Sequence, residues 1–123
     1  MSRERRTQPG ESFQGVLLSL RGRAGISQLE LAGRLGVHRR SIQGWESGSN
    51  YPSASSLQAL IAVYLAAGVF RDGREASEAA AIWHAALRQA PRMRTPFDAE
   101  WIAGLITKHS ARSPAEKGVL VGG

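Results

Sequence analysis

The strongest constraint on what this chain can fold into lies between Gly25 and Gly48, where the residues predict two short helices joined by a tight turn. Ser27 and Glu30 have the spacing of a capping box, in which each side chain satisfies an orphan backbone N–H of the first turn. Ile26 just before that cap and Leu31 one turn beyond it are placed as a hydrophobic staple. Leu31, Ala32 and Leu35 then share one apolar face at helical period. Gly36 stops the helix, because glycine takes left-handed backbone without steric cost. A second helix opens at once, with Val37 and Ile42 as its staple and Ile42 and Trp45 on its inner side. Helices this short are not stable alone. They must pack on other parts of the chain.

Those parts are legible on either side. Ser12 is placed to cap a first helix whose apolar residues Phe13, Val16, Leu17, Leu20 and Ala24 fall at helical spacing. Pro52 and Ser53 begin a further helix, in which Leu57, Leu60, Ile61, Tyr64 and Leu65 close the core before Gly68. Val69 to Gly73 reads as a connection that keeps Phe70 buried. Residues 74–90 are alanine-rich, with Glu75 and Glu78 in the first turn and a stripe of Ala79, Ile82, Trp83, Ala86 and Leu87 ended by Pro91. Thr95-Pro96-Phe97-Asp98 predicts a last helix, with threonine as cap, proline at the first position and an acid at the third. Its face of Trp101, Ile102, Leu105 and Ile106 extends to about Lys108. Trp83, Phe97 and Trp101 are most simply core residues. His84 has no carboxylate or histidine at ligand spacing and reads as a surface or packed histidine. The resulting expectation is all-α: a disordered basic arm at 1–11, a helical domain at 12–68, a helical extension packed on it at 69–108, and a disordered tail at 109–123.

The chemistry concentrates at the front of the second short helix. Arg39 and Arg40 fall in its first turn, where the helix dipole disfavours cations by some tenths of a kcal/mol. His38, at the cap, is a poorer capping residue than Ser, Thr, Asp or Asn. Local rules broken at one place often mark a ligand site. Phosphate there would reverse the sign, neutralising both the arginines and the helix end. The plainer alternative is solvated surface charge. The formal charge of +6 favours an anionic partner, and Lys108 and Lys117 are the only lysines among its 16 basic residues. Arginine suits bidentate contacts to phosphate and guanine, although the bias equally fits a genome-wide composition.

Other function classes find little support. With no cysteine, disulfides and thiolate metal sites are excluded. No apolar run approaches the roughly 20 residues of a membrane span, and no signal-peptide core follows the basic N-terminus. A cytoplasmic protein without metal, cofactor or membrane partner is therefore expected. Paired carboxylates, a serine–histidine arrangement or a metal cluster would suggest catalysis; none is evident, and an enzyme is not expected.

Residues 12–68 resemble the Xre/Cro, lambda-repressor-like helix-turn-helix family. The resemblance rests on Leu20-Arg21, residues 24–28, Glu30-Leu31-Ala32, Leu35-Gly36-Val37, Arg39-Arg40-Ser41-Ile42, Trp45-Glu46, Gly48 and Pro52-Ser53. It implies a lambda-repressor-like bundle with two additional C-terminal helices, acting as a transcriptional regulator on double-stranded DNA. The recognition helix would span about residues 39–47 and enter the major groove. By the same resemblance Arg21 and Glu46 form a structural ion pair, and Gln28 holds a phosphate while bracing the recognition helix. His38, Arg39, Arg40, Ser41 and Gln43 lie at or near the groove. Ser49 and Asn50, with free N–H groups in their loop, resemble a second phosphate clamp. Two positions depart from the family pattern: Gly44 stands where many members carry a long groove-facing side chain, and Leu29 replaces a polar residue on an exposed side, which hints at a protein contact.

The C-terminal half, from residues 51–61 through the Trp83 helix to residues 96–101, resembles the amino-terminal region of bacterial STAND-type signalling ATPases. That resemblance implies an alternative: an interaction or effector adaptor that keeps the fold without specific DNA readout, either as a stand-alone relative or as the front end of a larger signalling protein. The chain contains no Gly-x-x-x-x-Gly-Lys-Ser/Thr loop for nucleotide. A homodimer is a further expected assembly, because one module alone buries little DNA surface.

Overall fold

The computed structural model describes residues 12–112. The expected arm at 1–11 and the tail beyond residue 112 lie outside the described residues. Six helices and no strand occur among them: α1 (Phe13–Ala24), α2 (Gln28–Leu35), α3 (Arg39–Ser47), α4 (Ala54–Ala66), α5 (Glu75–Gln89) and α6 (Ala99–Arg112). The fold is all-α.

Local chemistry accounts for most helix ends. The Ser12, Ser27 and Ser53 hydroxyls accept from the backbone N–H groups of Gly15, Glu30 and Ser56, so α1, α2 and α4 each open on a serine cap. The reciprocal half of the Ser27–Glu30 capping box does not form. Glu30 instead receives Arg34 one turn on, Nη2 to Oε2 at 2.9 Å. That exposed (i, i+4) pair stabilises α2 by a few tenths of a kcal/mol. Gly36 takes φ 70°, which turns the chain from α2 into α3 within a few residues.

The core forms where these amphipathic faces meet. Phe13, Val16, Leu17 and Leu20 of α1 are buried together with Leu31, Ile42, Trp45, Leu57, Leu60 and Ile61. Each fully buried leucine here contributes roughly 2–5 kcal/mol, judged by the cost of truncation to alanine. α3 packs on α1 and α2, α5 packs on α1, α4 and α6, and α6 also packs on α4. The backbone N–H of Phe13 donates to Gln89 Oε1, tying the start of α1 to the end of α5. Because α5 and α6 take these positions, the outward side of α3 remains in solvent.

The C-terminal helices differ from expectation in two respects. α6 begins at Ala99, and its cap is Asp98, whose Oδ1 accepts from Trp101 N–H at 3.0 Å; it is not Thr95. Asp is the better capping residue, and its carboxylate takes the N–H three residues on. The Thr95 carbonyl instead accepts the indole N–H of Trp83 at 2.8 Å. In addition, α6 continues through His109 to Arg112, so the first part of the expected tail is helical. Trp83 is fully buried, whereas Phe97 and Trp101 are half-buried at the edge of the core. His84 is exposed and meets Phe97 edge-on, with ring centroids 6.1 Å apart.

Candidate nucleic-acid interface

The orientation of α3 is set by one carboxylate. Glu46, near its C-terminal end, has a side chain 5% exposed and is the only buried charged residue among those described. Arg21 of α1 reaches it in a fork, Nε to Oε2 at 2.7 Å and Nη2 to Oε1 at 3.1 Å. Arg21 Nη1 also donates to the Ile26 carbonyl at 3.2 Å, which ties the α1–α2 connection into the same group. Donating to the Glu46 carboxylate raises the Arg21 pKa, against a smaller opposing effect of burial. Gln28 Nε2, in the first turn of α2, donates to Glu46 Oε1 at 2.9 Å. One carboxylate thus receives donors from α1 and α2 and fixes α3 relative to both. Its contribution is geometric more than energetic, because desolvation offsets much of the Coulomb attraction.

Above this group sits a buried hydroxyl that the sequence did not flag. Tyr64 of α4 is fully buried, and its Oη has no hydrogen-bond partner among the described residues. Burial first, and then the negative charge of Glu46, pushes its pKa well above the ordinary tyrosine value of 10.0. No spacing rule would reveal this; the apolar pattern of α4 required only an aromatic body at that position.

The other end of α3 is uncapped and open. His38 is the N-cap residue, with extended backbone but no side-chain cap, and the first turn holds no acidic residue. Arg39 and Arg40 are exposed and make no hydrogen bond or ion pair with any described residue. Gln43 is exposed on the same side, and Ser41 is half-buried with its backbone N–H bound to the His38 carbonyl at 2.9 Å. This end presents two unneutralised guanidinium groups and free helix N–H groups, an arrangement suited to anions.

The loop after α3 departs from expectation. The N–H groups of Gly48, Ser49 and Asn50 all point to the Gly44 carbonyl, at 2.9, 3.0 and 3.3 Å, and so are not free to form a clamp. Gly48 lies at φ 86°, the left-handed cap that lets them converge. Ser49 pairs with Ser47 through their hydroxyls at 3.2 Å. Gly44 is placed as the family pattern suggests but is not open to solvent. It lies on the outward side of α3, yet it is buried because the Asn50 side chain covers it. Leu29 projects from α2 at 68% exposure, and Leu18 from α1 at 48%.

Residues 17–64 match the family model described as helix-turn-helix. The matched segment runs from within α1 to within α4 and includes the α2–α3 pair. No curated protein and no solved structure matches the chain. Among the described residues, no group of side chains could hold a metal ion, and no helix is long and apolar enough to cross a membrane.

Proposed function

We propose that the protein is a DNA-binding transcriptional regulator of the Xre/Cro type, with α3 as the recognition helix in the major groove. The observation that carries this reading is the open, uncapped N-terminus of α3, where Arg39 and Arg40 stand exposed without an acidic partner. Arg39, Arg40 and Gln43 are the base-facing candidates, with His38 and Ser41 at the helix entrance. Gln28 is half-buried beside Glu46 and can offer its remaining amide proton to a phosphate. Ser49 contributes only its hydroxyl. A module of this size buries roughly 600–1,000 Å² on DNA, so useful affinity requires two copies on half-sites about one helical turn apart, or a fused assembly domain.

A second reading, a protein-interaction adaptor, draws on the exposure of Leu29 on the same helix pair. The two are separated by selecting bound duplexes from random DNA and measuring particle mass with and without the selected site by light scattering. A regulator enriches a two-fold-related sequence and binds it as a pair. Failure to enrich any sequence, together with salt-insensitive capture of a protein partner that Leu29→Asp abolishes, would favour the adaptor.

A further inference from the structure

Gly44 poses a packing problem. In an α-helix, residues one turn apart share a side, so Gly44 lies in line with Arg40 and Ser47, both exposed. Gly44 is nonetheless buried. A Cβ added there would come within 2.7 Å of Asn50 Cγ and 2.8 Å of its Nδ2, closer than non-bonded atoms approach. The carboxamide of Asn50 therefore occupies the space that a side chain at position 44 would fill.

The loop holds it there from two directions. Its backbone N–H, with those of Gly48 and Ser49, is bound to the Gly44 carbonyl. Beneath the loop, Gln14 of α1 lies against Gly48 and donates to Tyr51 Oη at 3.4 Å. The carboxamide itself makes no hydrogen bond with any described residue, and Asn50 is exposed. A positioned donor–acceptor pair on the outer side of α3, with its hydrogen-bonding capacity unused, matches the N6–H/N7 edge of adenine, the usual bidentate partner of an asparagine side chain.

We infer that Asn50 reads an adenine in the major groove, supplying from the loop the contact that α3 lacks at Gly44, and that Gly44 is required because any larger residue would evict it. This rests on the proposed DNA-binding function and assigns Asn50 a base rather than a phosphate. The phosphate-clamp alternative is less suited to the geometry, because the backbone N–H groups such a clamp would use are committed to Gly44.

The test compares wild type, Asn50→Ala, Gly44→Ala and the double variant against duplexes selected by the wild type and against single-base changes within them, over a series of salt concentrations. A bidentate contact predicts that wild type prefers adenine at one position by roughly 5- to 150-fold. Both single variants should lose that preference, and the double variant should be no worse than either, because Gly44→Ala acts by displacing Asn50. Thermal melts of Gly44→Ala should show no loss of stability, since the atoms to be displaced are the end of a flexible side chain and alanine favours helix. Unchanged adenine preference in either single variant overturns the inference. So does uniform weakening across all sequences with a shallower salt dependence, the signature of a phosphate contact. If wild type shows no DNA binding at all, the proposed function fails first, and that outcome is distinct from the other two.

Discussion

Removing Arg21 provides a quantitative test of how the recognition helix is held. In the native protein the Glu46 carboxylate is 5% exposed and accepts two hydrogen bonds from Arg21 and one from Gln28. Arg21→Ala leaves that carboxylate buried with Gln28 as its remaining side-chain donor. Breaking a buried pair from one side typically costs 3–5 kcal/mol. The Arg21 side chain retains 23% exposure, so water can enter the vacated space, and about 3 kcal/mol is the appropriate expectation. For a domain of roughly 100 residues this corresponds to a fall in Tm on the order of 12–24 °C. Replacing both residues together, as Arg21→Met with Glu46→Leu, should recover most of the loss, because an apolar pair escapes the desolvation penalty. Urea unfolding followed by circular dichroism on wild type, Arg21→Met, Glu46→Leu and the double variant gives the coupling energy directly. Additivity within about 0.5 kcal/mol would refute the coupling and leave α3 oriented by apolar packing alone.

Two further predictions follow from buried or capping groups. Tyr64→Phe removes an unpartnered hydroxyl and should leave stability unchanged or raise it by about 1 kcal/mol, measured by the same unfolding assay. Because the folded-state pKa of Tyr64 is raised above its unfolded value of 10.0, its contribution is fully present below pH 10 and is lost as pH rises beyond it; wild type should therefore weaken above pH 10 more steeply than Tyr64→Phe. Asp98→Ala should cost about 1 kcal/mol by loss of the α6 cap, whereas Thr95→Ala should cost only a few tenths, since Thr95 contributes its backbone carbonyl; equal costs in thermal melts would contradict this assignment.

What was legible in the sequence was mostly local. Ser12, Ser27 and Ser53 act on N–H groups three residues away, and Gly36 and Gly48 act on their own backbone, so short-range rules found α1 to α4. The apolar faces followed from helical period for the same reason. What was missed depends on contacts between distant segments. Glu30 could serve Ser27 or Arg34, and spacing alone does not choose between them. Thr95 resembles a cap until the Trp83 indole, from another helix, takes its carbonyl. Gly44 reads as an absent side chain until Asn50 folds over it, and no periodicity places a loop residue on the outer side of a helix. In the candidate site, the misfit of His38, Arg39 and Arg40 with their helix end was visible from sequence, whereas the commitment of the loop N–H groups to Gly44 was not.

On the proposed function, two arginines held against an unfavourable helix end are there for a polyanion. The most direct measurement is the salt dependence of duplex binding for wild type and for the Arg39→Gln, Arg40→Gln double variant. Loss of two base-facing arginines should abolish the preference for the selected duplex over single-base changes, and each arginine that also neutralises a phosphate should make the log–log slope shallower by roughly 1. The variant itself should fold at least as stably as wild type, because the dipole conflict is gone. Binding by the variant with wild-type affinity and wild-type slope would contradict the account.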